Sequence, residues 1–249
     1  MGVLDYMSEN VVPYGEEKGS KRQQVEEMFD NISHKYDFLN HFLSLGIDVL
    51  WRKKSLKKIQ NSNPQRILDV ATGTGDFAIE AKKKFKNAKI AGIDISNGML
   101  EVGREKMKKR GLEEIDMIQA DSAEIPFEDN TFDVAIVAFG VRNYEVLLDG
   151  LTDMCRVLKP GGEIVVLEFS KPKAFPFKQI YNFYFNHVLP RFGKMISKDS
   201  SAYTYLPESV KVFPEGNDFL KVLREAGFDN ESAKPLTFGI SSIYYGIKK

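Results

Sequence analysis

Asp94 and Asp121 each close a short apolar run, Ile90-Ala91-Gly92-Ile93 in one case and Met117-Ile118-Gln119-Ala120 in the other. A third carboxylate, Asp76, follows Gly73-Thr74-Gly75, which itself follows the apolar run Ile67-Leu68-Asp69-Val70. Runs this short, ended by glycine or aspartate, read as buried strands whose ends meet a turn. Carboxylates at successive strand ends accept hydroxyl hydrogens and attract cations. Together they suit a ligand rich in donors and carrying positive charge. Gly73 and Gly75 let the backbone approach such a ligand where a side chain would block it.

The spacing Gly73-x-Gly75-x-x-Ala78 also satisfies the loose dinucleotide fingerprint. Asp76 argues against that use, because a carboxylate at the start of the following helix takes the position a pyrophosphate needs. Asp94 lies 19 residues after Gly75, about where an acid bonds ribose hydroxyls. S-adenosylmethionine, with its ribose hydroxyls, adenine amine, ammonium and sulfonium, is the cofactor these groups fit. A nicotinamide dehydrogenase is the alternative that cofactor binding would discriminate.

These residues need a scaffold, and from Arg66 the chain alternates strand and helix, the pattern of a parallel sheet covered on both faces. Helices are expected over 76–85 and 97–110, strand four over 132–140, a helix over about 144–158 broken by Lys159-Pro160-Gly161-Gly162, and strand five over 163–169. A helix over 218–226 and two β-branched stretches, 230–236 and 239–247, predict a C-terminal antiparallel hairpin. Ahead of the sheet, Ser20-x-x-Gln23 forms a capping box before Val25, Met28, Phe29 and Ile32 at helical spacing. Further helices are expected over 36–46 and from Asp48 to about Gln60, a layer that packs on the sheet edge or walls a substrate pocket.

The chain reads as one domain: a loose arm over 1–19, a helical lid over 20–62, a cofactor-binding core over 63–170, an insertion over 171–213, and the C-terminal helix and hairpin over 214–249. The insertion is dense in aromatics, among them Phe177, Tyr181, Tyr184, Phe192, Tyr203 and Tyr205. Most are expected to form a small subsidiary core, and such a cap also suits a flat, greasy ring. Lys171, Lys173, Lys178, Arg191 and Lys194 beside it would favour anionic headgroups.

The 249 residues carry no formal net charge, and 43% are hydrophobic, enough for a full core. Nucleic-acid binders show a basic face, so no nucleic-acid partner is expected, and the lysine clusters fall late in predicted helices, where cations suit the dipole. The single cysteine, Cys155, allows no internal disulfide and sits on an apolar helix side. No membrane-spanning run is present, and an intracellular, cytoplasmic location is expected. His34 and His41 have no ligand cluster around them, so no metal is expected.

Three groups of residues together resemble the ubiquinone/menaquinone biosynthesis C-methyltransferases. They are Tyr36-Asp37-x-Leu39-Asn40-x-x-Leu43-Ser44-x-Gly46-x-Asp48-x-x-Trp51; Arg156-Val157-Leu158-Lys159-Pro160-Gly161-Gly162; and the set Phe139-Gly140-x-Arg142-Asn143, Leu167-Glu168-Phe169-Ser170-Lys171-Pro172 and Ser201-x-Tyr203-x-Tyr205-Leu206-Pro207-x-Ser209. The resemblance runs from about Lys21 to the C-terminus. It implies an α/β class I, Rossmann-like methyltransferase fold with a mostly parallel seven-stranded sheet. The implied reaction is S-adenosylmethionine-dependent C-methylation of a reduced, polyprenylated quinone precursor, with demethylmenaquinol preferred to the benzoquinol. Gly73 and Thr74 would lie in the glycine loop, Asp94 on the ribose, and Asp121 with Ser122 near the adenine. Ala138 departs from the pattern, since related chains often carry serine there.

Ring-carbon methylation needs a deprotonated neighbouring hydroxyl, and Arg142, directly after strand four, is the candidate catalytic residue, as a permanent cation that stabilises the phenolate. A structural salt bridge is its competing role. Asp37, His187, Tyr203 and Tyr205 are further candidates for base or ring contact. A lipid-soluble quinol is the expected partner, and the reading leaves open a homodimer and peripheral contact at the inner face of the membrane. A nucleic-acid methyltransferase, for which the chain lacks an Asn- or Asp-Pro-Pro-aromatic motif after strand four, and a non-enzymatic scaffold are the remaining alternatives.

Overall fold

The computed structural model describes residues 11–44, 46–188 and 201–249. Seven strands form one sheet: β1 (Arg66–Val70), β2 (Lys89–Asp94), β3 (Asp116–Gln119), β4 (Phe132–Ala138), β5 (Leu158–Phe169), β6 (Phe228–Leu236) and β7 (Ser241–Lys248). Their spatial order is β3-β2-β1-β4-β5-β7-β6. β1 to β5 run parallel, and β7 inserts antiparallel between β5 and β6. The order reverses beside β1, and in open α/β sheets the crevice at such a switch point, above the carboxyl ends of the strands, is where ligands bind.

The side chains of the central strands divide by the two-residue period. Leu68, Val70, Ala135, Val137 and Val166 point into one core, and Ile67, Val134, Ile136, Val165 and Leu167 into the other. The first core is covered by α5 (Leu147–Val157) and α8 (Asn217–Glu225), the second by α2 (Ile47–Leu56), α3 (Asp76–Lys84) and α4 (Asn97–Arg110). Cys155 is buried in the first core. Arg156 braces the loop ahead of β4, pairing with Asp153 and Asp129 and donating to the carbonyls of Ile125 and Phe127.

The two helices expected over 20–32 and 36–46 are one, α1 (Lys21–Leu43). Ser33-His34-Lys35 contains no glycine or proline, so nothing stops propagation between the two apolar segments. Its capping box is formed reciprocally, with the Gln23 amide donating to Ser20 Oγ at 3.3 Å and the Ser20 amide to Gln23 Oε1 at 3.2 Å. Residues 11–19, expected in a loose arm, are tied down instead: the Tyr14 amide donates to Gln24 Oε1 at 2.8 Å, and Val11 and Tyr14 pack with Val25 and Met28.

Helix α5 starts at Leu147 rather than near Tyr144, because Val141–Asn143 forms a 3-10 turn and Tyr144 is extended. Strand β5 starts at Leu158, ahead of the proline and glycines, which are absorbed as a bulge between the pairs Phe132–Leu158 and Val134–Glu163. The insertion holds α6 (Phe177–Phe183), a π-helical turn (Tyr184–Val188) and α7 (Ser201–Val212). Phe192, Arg191 and Lys194 lie outside the described residues.

Candidate functional site

The carboxyl ends of β1, β2 and β4 meet in three adjoining clefts. The first, about 680 Å³ and open to solvent, is lined by Gly73, Asp94, Asp121, Ser122, Phe139 and Tyr144, among others. The second is larger, about 1500 Å³, and almost wholly apolar and aromatic, with Trp51, Phe169, Phe177, Ile180, Tyr181 and Tyr205 in its walls. The third, about 330 Å³, lies over the glycine loop between Arg52, Asp69, Thr74 and Asp76. Tyr36 touches all three, and Phe29, Phe139 and Asn143 are shared by the first two.

Backbone geometry explains why the strand ends leave this space. Ala71 and Phe139, which follow β1 and β4, both adopt positive φ, at 52° and 60°. That conformation is unusual for a bulky residue and turns the chain sharply away from the sheet. The two turns pack so tightly that a Cβ on Gly140 would sit 2.5 Å from the Cβ of Ala71. Gly75 caps α3 with φ 82°.

Asp94 is almost fully buried, and its carboxylate accepts from the amides of Gly73 at 2.8 Å and Ser96 at 2.9 Å. Burial outweighs these bonds and pushes its carboxyl up to about 6. Asp121 lines the same cleft, where Arg22 pairs with it at 2.8 Å, and Ser122 follows. Ala138 lines the first and third clefts without a hydroxyl.

Thr74 is placed differently from the others. Its hydroxyl is engaged by Asp37 and, at 2.8 Å, by Lys106, and it faces the third cleft rather than the first. Lys106 also pairs with Asp37 at 2.5 Å and Asp76 at 2.8 Å, so α1, the glycine loop and α4 are knotted by one charged cluster. Asp37 is therefore held beside the glycine loop and does not line the apolar cleft.

Helix α1 is fixed over the clefts at two further points. Asp30 accepts from Ser96 Oγ at 2.6 Å and from the Gly98 amide at 2.8 Å, at the start of α4. Lys21 Nζ donates to the Arg142 carbonyl at 3.2 Å, and burial followed by the charge of Arg142 lowers that ammonium to about 8.

Arg142 lies in the turn after β4, in the wall of the apolar cleft. Its Nη1 donates to Glu168 Oε1 at 2.8 Å and to the Phe139 carbonyl at 2.5 Å, while its Nε has no partner. Tyr203 and Tyr205 line the same cleft, with buried hydroxyls that make no hydrogen bond. Burial raises both phenols, as it raises Tyr36 to about 12, so they present protons as donors and are poor bases. His187 is exposed beside Phe183 and lines none of the three clefts; His34 is exposed on α1. Among the described residues no group of three His, Cys, Asp or Glu could hold a metal ion.

Several residues at the junction carry no local sequence signal. Phe29 reads as one more apolar position of α1, and Asn143 and Tyr36 stand in the motifs quoted above without an evident role. Trp51 lines the apolar cleft, and its indole donates to Thr237 Oγ1 at 2.8 Å, a contact spanning most of the chain.

The lining fits S-adenosylmethionine: a buried carboxylate at the end of β2, a half-buried one just after β3, a glycine loop, and a small polar cleft beyond it. The sheet order and these clefts are those of a Rossmann-like methyltransferase. An Aquifex aeolicus S-adenosylmethionine-dependent methyltransferase superposes with a TM-score of 0.60 at 20% identity, covering 80% of this chain and 89% of that one. The cyclase SpnF gives 0.66 at 17% identity, covering 92% and 97%. The model of the ubiE/COQ5 methyltransferase family matches residues 17–248, and the chain belongs to that family. It is 48% identical to a demethylmenaquinone methyltransferase of Bacteroides fragilis over 98% of this chain and all of the relative. A ubiquinone/menaquinone biosynthesis C-methyltransferase of Geotalea daltonii is 47% identical over 93% of this chain and 98% of its own. The protein is an S-adenosylmethionine-dependent methyltransferase.

Proposed function

We propose that the protein methylates a ring carbon of a reduced, polyprenylated quinone precursor, demethylmenaquinol in the first instance. The observation that carries this reading is the meeting of the polar first cleft and the large apolar second cleft at Phe29, Tyr36, Phe139 and Asn143. A flat ring with a greasy tail matches aromatic walls of this kind, and the relatives named above act on quinones by name. The benzoquinol of the ubiquinone branch is the second reading, favoured by the Geotalea daltonii relative's name.

Bound S-adenosylmethionine supplies an electrophilic methyl group. The side chains have two tasks: to hold the ring carbon in line with it, and to favour the phenolate that makes that carbon nucleophilic. Gly73, Thr74, Asp94, Asp121 and Ser122 are proposed to hold the cofactor. Arg142 is proposed to stabilise the phenolate. Glu168 already compensates much of its charge, so its free Nε edge and its fixed position matter more than its net charge. Tyr203 and Tyr205, which line the apolar cleft with hydroxyls that make no hydrogen bond, are proposed as donors to the ring oxygens.

The same reading places the protein in the cytoplasm with peripheral contact at the membrane. Phe175, Ile180, Phe183 and Phe238 are exposed large hydrophobics on α6 and near it, and Ile180 also lines the apolar cleft, so the rim offers a greasy entry for a lipid. Among the described residues no helix is long and apolar enough to cross a membrane.

The test is transfer of labelled methyl from S-adenosylmethionine to demethylmenaquinone and to the benzoquinone precursor, each supplied oxidised and reduced, with products identified by mass. Label in the reduced rings alone supports the phenolate chemistry, and the preferred ring names the substrate. Protein that binds the cofactor but labels neither ring is acting on another small molecule.

A further inference from the structure

The third cleft holds a cation, Arg52, that stands apart from Gly73, Thr74, Asp94, Asp121 and Ser122. Arg52, on α2, is only 5% exposed, yet it lines the small space over the glycine loop. Its Nη1 is engaged by Asp48, which is itself fully buried. Its Nε has no partner, and its Nη2 lies 3.9 Å from Asp76 Oδ2, beyond hydrogen-bonding range. A buried guanidinium with an unused donor edge is costly unless something fills it.

The cleft's position indicates what that is. It joins the first cleft through Tyr36, Ala71, Gly73 and Ala138, all shared by the two. A ligand whose ribose is held by Asp94 lies against Gly73, since the Gly73 amide donates to that same carboxylate. The amino-acid tail of such a ligand carries one carboxylate and one ammonium, and the small cleft offers both complements. Asp69 and Asp76 suit the ammonium, and Arg52 is the single cation among the described residues that line it.

We propose that Arg52 takes the carboxylate of the amino-acid tail of S-adenosylmethionine, through its Nε and Nη2 edge, while Asp48 holds the guanidinium from the other side. Two parallel donors match a carboxylate in a way that a lysine ammonium does not. The inference rests on S-adenosylmethionine as the cofactor and adds the residue that reads one end of it. Asp48 serves as a positioning residue, braced in turn by Ser44 Oγ at 2.6 Å.

The test is calorimetric titration of the intact protein with S-adenosylmethionine and with its decarboxylated analogue, which lacks this carboxylate alone. Wild type is expected to prefer the full cofactor by about 10- to 100-fold, the range of a charge-assisted pair. Arg52→Gln, which keeps an amide donor for Asp48, should lose the preference. Arg52→Lys should keep the fold through its charge and lower the preference at least threefold. Because each preference is a ratio within one variant, a general loss of stability does not mimic the result. A preference unchanged in both variants, or absent from wild type, overturns the assignment of Arg52. Wild-type protein that binds neither compound overturns the cofactor itself, and the proposal with it.

Discussion

Arg142 and Glu168, 26 residues apart, meet as an ion pair with their side chains 8% and 1% exposed, 2.8 Å between Nη1 and Oε1. β4 and β5 are neighbours in the sheet, so the turn after one and the last residues of the other come to the same place. Burial nevertheless dominates at Glu168, whose carboxyl is raised despite the cation beside it. Removing either partner leaves the other charge stranded in the interior.

Arg142→Ala is therefore expected to destabilise the protein by about 3–5 kcal/mol, the cost of orphaning a buried charge. Urea denaturation measures it. Glu168→Gln, which can still accept from Arg142, should cost less. Loss of turnover in Glu168→Gln with cofactor affinity intact would mark the pair as a positioner of the substrate side, and loss of stability alone would mark it as structural.

Cofactor binding should depend on pH through Asp94. With its carboxyl at about 6, it is partly protonated in mild acid and is then a poorer acceptor for ribose hydroxyls. Affinity for S-adenosylmethionine should rise as pH increases from 5 to 7.5. Asp94→Asn should weaken binding at pH 7.5 by about 1.5–3 kcal/mol and flatten that profile. A titration series at several pH values checks both.

Asp69 works in the opposite sense on stability. Its buried carboxyl is raised to about 7 by desolvation, against the pull of Thr72, whose hydroxyl donates to it at 2.7 Å. The folded state thus holds a proton that the unfolded chain, with an ordinary carboxyl, releases near pH 4. This contribution to stability is complete below about pH 4 and is lost as pH rises through 7. Asp69→Asn should remove that decline, seen as a smaller fall in urea midpoint between pH 5 and 8 than wild type shows.

Gly140→Ala tests the crossing of the two strand-end turns. The added methyl would meet the Ala71 Cβ at 2.5 Å and Val137 Cγ2 at 3.2 Å, and the first of these cannot rotate away. A loss of about 1–3 kcal/mol is expected by denaturation. Because both Ala71 and Gly140 line the first cleft, cofactor affinity should fall as well.

Asp30→Ala probes the anchoring of α1 from outside the clefts. It removes the acceptor for the Ser96 hydroxyl and the Gly98 amide, at a cost of about 1–2 kcal/mol. S-adenosylmethionine affinity should drop several-fold in calorimetry, although Asp30 lines none of the clefts.

Much of this was written locally in the chain. Glycines after an apolar run, and acids ending two more, mark Gly73, Asp94 and Asp121 because strand ends and turns have short-range signals. The alternation from Arg66 onward predicts the sheet, and the C-terminal hairpin forms as expected, though inserted beside β5. What was not legible depends on register and topology. Nothing near Arg142 announces Glu168, and nothing near Arg52 indicates that it lies over the glycine loop. Thr74 illustrates the same limit: its place in the loop was readable, but its hydroxyl's engagement by Asp37 and Lys106 required knowing where α1 and α4 pack. Ser33-His34-Lys35 reads as a break only because the apolar spacing lapses there, and the backbone has no reason to stop.

Helix α1 is a wall of both large clefts: Val25 and Phe29 face the first, and Met28, Phe29, Ile32 and Tyr36 face the second. A shared wall makes two binding equilibria one system. If the cofactor favours one seating of α1, the affinity for the acceptor changes by some factor, and occupancy by the acceptor must return that same factor to the cofactor. The two affinities are then reciprocal, with the helix as the common term.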